Sequence, residues 1–172
     1  MKLNKSFEQS ICILLVLAMQ KDHSPLSSQF ISQKLDISQS YSKKTIRKLV
    51  EGDLLTSSTG NNGGLKLKKN LDEISLFDIY KCTEEAEIFE STNLPQKIFL
   101  IPEKVEEREA IIVSALEKIQ ENLFSQLDEI KLSTILEGTD YINGCVDWKE
   151  LAAVKDEAML DTFLKNFAEN LH

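Results

Sequence analysis

The sequence predicts a mainly α chain with a small β-wing: a winged helix-turn-helix head, then a long dimerisation helix and a C-terminal helix. Residues Phe30 to Lys68, FISQKLDISQSYSKKTIRKLVEGDLLTSSTGNNGGLKLK, read as a short helix, a tight turn, a second helix and a glycine-bearing hairpin. Charge is divided along the chain in the same sense. Residues 1–70 carry 11 Lys+Arg against 5 Asp+Glu, while residues 71–172 carry 9 against 23, within a net charge of −8. A basic first half on an acidic body is the layout of a DNA-binding head on a part that does not touch DNA. Farther on, an apolar near-heptad seam runs from Glu103 to Leu132, longer than a head of about 80 residues can cover.

The first helix spans about Ser6 to Gln20, because Phe7, Ile11, Leu14, Leu15 and Ala18 recur at helical spacing. Lys21 to Pro25 breaks it. Ser27 or Ser28 can cap the next helix, which buries Phe30, Ile31 and Leu35. Asp36-Ile37 makes the turn. Ser38 caps a third helix that buries Tyr41, Thr45, Ile46 and Leu49 and ends near Gly52.

The opposite face of that third helix shows Gln39, Ser40, Lys43, Lys44, Arg47 and Lys48. A helix entering the major groove needs short polar side chains near its N-terminus to reach base edges, and cations along its flank for phosphates. Gln39, Ser40, Lys43 and Arg47 are therefore the base-edge candidates, and Ser38, Tyr41, Lys44 and Lys66 the phosphate candidates. On its own such a face is an ordinary solvated cationic surface. The short helix before it and the hairpin after it favour DNA. In that hairpin, Leu54 to Lys68, the leucines Leu65 and Leu67 alternate with Lys66 and Lys68, so the lysines point outward. The tip residues Asn61, Asn62, Gly63 and Gly64 tolerate positive φ and allow backbone close to a sugar–phosphate wall.

Ser75 opens a further helix with Asp78 as a partial capping box, and Leu76, Phe77, Ile79 and Tyr80 seal the head. Thr83 to Pro102 is acidic, contains two prolines and reads as a linker with room for a short helical piece. In the long helix, Ile112, Leu116, Ile119, Leu123, Leu127 and Ile130 are the expected dimerisation residues. At 1.5 Å per residue the helix is about 42 Å long, and a second copy of the chain would cover its seam. Asp147 to His172 is a last helix with a stripe of Leu160, Phe163, Leu164, Phe167 and Leu171. The expected divisions are residues 1–82 for the head, 83–102 for the linker, 103–137 for dimerisation and 138–172 for the tail.

Several classes of function are disfavoured. Cysteines at 12, 82 and 145 show no CxxC or metal-ligand spacing, and only two histidines are present. No phosphate-binding glycine loop, nucleophile elbow or paired catalytic carboxylates occur, so an enzyme is not expected and no metal or cofactor is assigned. The longest apolar run, Ile11 to Met19, is too short to span a bilayer, and the expected location is the cytoplasm.

The segments ISQKLDIS and SY within Ile31 to Tyr41, the pair Gly63-Gly64, ISLFDIY at Ile74 to Tyr80 and KLSTIL at Lys131 to Leu136 resemble the Rrf2 family of bacterial winged helix-turn-helix regulators. The resemblance covers about residues 1–137. It implies a homodimer on a palindromic operator in double-stranded DNA, with recognition helices in successive major grooves. Iron–sulfur members of this family carry three cysteines between head and dimer helix, whereas Thr83 to Pro102 has none, so no cluster is expected. Cys82, just before that segment, reads as a semi-buried structural residue, with a single thiol switch as the alternative. The arginine usual at the start of the wing turn is Thr59 here. The resulting expectation is a dimeric, sequence-specific transcriptional repressor, with a protein-interaction adaptor as the alternative and an unassigned small-molecule effector as a further partner.

Overall fold

The computed structural model describes residues 3–60, 63–84, 97, 102–139, 141 and 144–153. Its head is built around helix α1, Lys5–Met19, which buries more of its circumference than the expected stripe. Ile13 and Leu14 are fully buried, and Val16, Leu17 and Ala18 nearly so, while the expected Ile11 and Leu15 are only partly covered. The wider burial has a simple cause: α1 is central, with α3, α4 and the wing packed around it.

Helix α2, Ser28–Lys34, begins where the Ser27 hydroxyl accepts the Phe30 N–H at 3.1 Å. Asp36, in the left-handed region at φ 50°, then turns the chain. Helix α3, Gln39–Glu51, starts at Ser38, whose hydroxyl accepts the Tyr41 N–H at 3.4 Å. Its buried side is Ser42, Thr45, Ile46 and Leu49. Tyr41, expected inside, is 39% exposed, and Ser42 holds the buried position instead. One residue of helix is 100° of rotation, which moves Tyr41 to the rim of the exposed face.

The wing consists of β1, Leu55–Ser58, and β2, Gly64–Leu67, paired antiparallel with Leu55 opposite Leu67 and Ser57 opposite Leu65. Leu26, fully buried, adds a one-residue third strand through reciprocal bonds with Leu65 of 3.1 and 2.8 Å. This bridge fastens the wing to the chain entering α2. Helix α4, Leu76–Thr83, carries a complete capping box at Ser75 and Asp78, where a partial one was expected. At the far end of α4, Glu84 accepts both the backbone and the side-chain N–H of Asn4, closing the head.

Helix α5, Pro102–Glu129, is the expected long helix. Phe124 lies against Phe77 and Tyr80 of α4, with ring centroids 4.8 and 5.3 Å away. Past its end, Ile130 and Leu132 bond to Leu76 and Ile74, and a 3-10 turn covers Leu132–Leu136. Helix α6, Trp148–Ala153, opens the tail; Asp147 accepts the N–H groups of Lys149 and Glu150 at 3.1 Å, as a capping residue should. The tail stripe from Leu160 onward and nearly all of the expected linker lie outside the described residues.

A side chain on Gly52, at the end of α3, would overlap the Cys82 sulfur of α4. Gly52→Ala is therefore expected to destabilise the protein by about 1–3 kcal/mol in urea unfolding. Adding Cys82→Ala should recover most of that loss, because the two substitutions share one space. Equal losses in the single and double variants would refute the overlap.

Candidate nucleic-acid interface

The exposed side of α3 displays Gln39, Ser40, Tyr41, Lys43, Lys44 and Arg47 together, with Ser38 at its start. The amides of Gln39 and Ser40, in the first helical turn, have no partner within the helix, and the helix dipole places partial positive charge there. The Ser38 and Ser40 hydroxyls stand 3.5 Å apart beside them. A helix start of this kind favours an anion. Among the described residues, Lys43, Lys44 and Lys66 have no acidic partner within ion-pair distance. Lys43 borders the groove between α3 and the wing, whereas Lys66 borders the hollow beside the end of α1, so only the α3 lysines share an element.

Arg47 differs from its neighbours. Its Nε donates to Glu51 Oε1 at 2.7 Å, one helical turn on, and the two side chains are 80% and 58% exposed. Such an exposed pair is weakly held, so the guanidinium can be drawn away by a stronger acceptor. Glu51 lies at the spacing of four that pairs helix side chains and was legible in the sequence, though it was absent from the expected site. Lys48 belongs elsewhere: half-buried, it donates to the Thr83 carbonyl at 3.3 Å and ties α3 to α4.

An open groove of about 690 Å³ separates α3 from the wing, with Ser28, Lys43, Arg47, Ser57 and Thr59 among its lining residues. Ser28, Ser57 and Thr59 add hydroxyl groups that were not among the expected DNA-contacting residues. Lys66 is exposed on β2 opposite Thr56. Gly63 and Gly64 have structural reasons to be glycine. A Cβ on Gly63 would meet the Ser58 carbonyl, and one on Gly64, at φ 153°, would stand 2.8 Å from the Leu26 carbonyl oxygen. The open tip glycine is Gly60, at φ 107° with nothing near it. Asn61 and Asn62 lie outside the described residues.

The seam of α5 divides in two. Leu127 packs beside Phe124 against the head. Ile111, Ile112 and Ile119 are 62%, 58% and 61% exposed, with Leu116 and Leu123 half-buried between them. Ile130, one residue beyond the helix, is 43% exposed while its carbonyl accepts the Leu76 N–H.

Residues 3–138 match the sequence model of the Rrf2 family, described as an iron-dependent transcriptional regulator. The chain is 37% identical over 142 residues to the HTH-type transcriptional regulator YffB of Lactococcus lactis, spanning 82% of this chain and 90% of that protein. CymR (YrzC), the global cysteine regulator of Bacillus subtilis, has a similar structure: TM-score 0.58 and 24% identity over 81% of this chain and 99% of that one. IscR of T. potens matches with TM-score 0.58 and 21% identity, over 80% and 87% of the two chains. At these identities the two structures speak for the winged-helix fold.

The residues present do not fit an iron–sulfur cluster, which thiolates hold. The chain has three cysteines, each half-buried, and among the described residues no three His, Cys, Asp or Glu side chains gather as metal ligands. Burial pushes the Cys82 thiol above its ordinary pKa, with Asp78 adding to the effect, and burial with Glu8 does the same at Cys12. A raised pKa lowers the thiolate fraction that oxidants attack, which favours the structural reading of Cys82. No described helix is long and apolar enough to cross a membrane.

Proposed function

The chain belongs to the Rrf2 family of transcriptional regulators, and we propose that it acts as a homodimeric repressor on a palindromic operator. It is a DNA-binding winged-helix regulator rather than an enzyme, as its relatives are. The observation that carries the finer reading is the joint exposure of Gln39, Ser40, Lys43, Lys44 and Arg47 beside the wing. In the proposed complex α3 enters the major groove, with Gln39, Ser40, Lys43 and Arg47 at base edges. Ser38, Tyr41, Lys44 and Lys66 hold phosphates, and the wing tip, including Asn61 and Asn62, lies along the adjacent backbone. The unpartnered isoleucines of α5 support pairing with a second copy, and the acidic body keeps DNA contact local to the head. The cytoplasm, where such a regulator meets DNA, is the proposed location.

Selection from a random duplex library tests this. The expected product is an inverted repeat whose half-sites are centred one helical turn, about 10 base pairs, or a multiple of it, apart. Enrichment of no sequence would contradict specific recognition and favour a protein-interaction adaptor on the same fold.

A small-molecule effector is a further part of the proposal, supported by a cavity of about 600 Å³ between the head and the turn that follows α5. Leu17, Ala18, Leu65 and Leu71 give it an apolar floor, and His23, Lys69, Asp72 and Glu137 lie at its edge. One wall is the wing strand β2 and another the turn that follows α5. A molecule bound there touches both the wing and the turn that follows the long helix.

A further inference from the structure

Residues 144–153 lie beyond the stretch matched by the family, yet they are built onto the head. Val146, 3% exposed, runs beside the end of α1, where its N–H donates to the Met19 carbonyl at 2.9 Å. Its own carbonyl accepts the Lys21 N–H at 2.8 Å. Two residues on, the Trp148 backbone N–H donates to Gln20 Oε1 at 3.2 Å, and its indole N–H to the Val16 carbonyl at 2.9 Å.

Gln20 is 1% exposed, and its amide nitrogen donates to the Ser24 hydroxyl at 2.9 Å. The amide oxygen of this buried side chain is satisfied by Trp148, so the segment completes a hydrogen-bond requirement of the head. The Lys34 ammonium stands 4.5 Å from the centre of the Trp148 ring, within cation–π range. Lys34 is the last residue of α2, the first helix of the helix-turn-helix. Gly144 makes the approach possible: it sits at φ 65°, and a Cβ there would stand 2.7 Å from the Gln20 carbonyl oxygen.

We propose that residues 144–153 are a strap linking the dimer-forming part to the helix-turn-helix, and that its docking favours DNA binding. The chain runs from α5 through the turn Leu132–Leu136 to the strap, which then grips both the end of α1 and the end of α2. Its partners Val16, Gln20 and Lys34 all lie off the exposed face of α3, so Trp148 and Gln20 act as positioning residues. Docked, the strap holds α2 where it presents α3; undocked, α2 and α3 can shift against α1. This inference rests on the DNA-binding reading of α3. Coupling of this kind is reciprocal, so DNA must tighten the strap by the factor with which the strap favours DNA.

Trp148 is the chain's one tryptophan, and its emission therefore reports docking directly. Acrylamide quenching of the full-length protein, with and without the selected duplex, is the test, alongside affinities of Gly144→Ala and Trp148→Phe. Gly144→Ala is expected to make Trp148 about threefold more quenchable and to weaken specific binding about tenfold, within the usual range of coupling between sites. Excess duplex should restore much of the protection. Trp148→Phe, which keeps a ring for Lys34 but loses the indole donor, should show a smaller loss of affinity. Unchanged quenching in Gly144→Ala would overturn the docking geometry. DNA affinities of both variants within twofold of the parent would overturn the coupling. A parent protein that prefers no sequence would instead overturn the DNA-binding reading, and the strap's role with it.

Discussion

Glutamate at both Ile112 and Ile119 is expected to convert the protein to a monomer and to weaken operator binding about a hundredfold or more. The two side chains are 58% and 61% exposed in the single chain, on one side of a 28-residue helix. Burying an isoleucine from water is worth about 1.5–3 kcal/mol, and a two-fold interface counts each position twice. Glutamate removes that gain and leaves charges to be desolvated without partners. The effect on DNA follows from bivalency. Once one head holds its half-site, the second meets the other at an effective concentration near millimolar, which multiplies affinity by about 10²–10⁴. Light scattering on a sizing column and a binding titration on the same sample check both statements. A double variant that stays dimeric with full operator affinity would show that α5 is not the interface.

Arg47→Ala is expected to weaken binding to the selected operator by about 1–3 kcal/mol, roughly 5- to 150-fold, with a much smaller loss on unrelated duplex. The guanidinium has a planar fork that matches the guanine edge. In the free protein it is held by the exposed Glu51 carboxylate, at 2.7 Å. Glu51→Ala should act in the opposite direction and tighten binding slightly. It frees Arg47 and removes a negative charge from a groove lined by both residues. An equal loss on both DNAs would assign Arg47 to a phosphate. Weaker binding of Glu51→Ala would mean that the ion pair orients the arginine rather than competing for it.

Much of the fold was legible because its signals are local. Serines before apolar runs marked three helix starts, at Ser27 or Ser28, Ser38 and Ser75, and Ser27, Ser38 and Ser75 serve as the N-caps. The alternation of Leu65 and Leu67 with lysines marked β2, and the long apolar seam marked α5. The misreadings concern contacts made from several directions. Periodicity finds one apolar stripe, whereas α1 is surrounded, so Ile13, Val16 and Leu17 went unassigned. Tyr41 sits at the boundary of two faces, where a hydrophobicity pattern cannot choose between inside and rim.

The strap left no local trace at all. Trp148 and Val16 are 132 residues apart, and neither shows in its own neighbourhood that the other completes it. The same holds for Gly64, whose lack of a side chain answers to Leu26 rather than to its own turn. For the DNA face, the exposed set was readable from residue type and spacing, because caps and burial fix the rotation of α3. What spacing does not show is occupancy: Lys48 is engaged with α4 and Arg47 with Glu51, while Lys43 and Lys44 carry no acidic partner among the described residues.

Specific DNA binding by the head is tested most directly by fluorescence anisotropy with duplex from immediately upstream of the protein's own gene. Unrelated duplex and a salt series serve as the controls. Recognition through α3 and several phosphates requires tight binding that beats the unrelated duplex and falls steeply as salt rises. Absence of binding even at low salt, or an affinity indifferent to both sequence and salt, would contradict it.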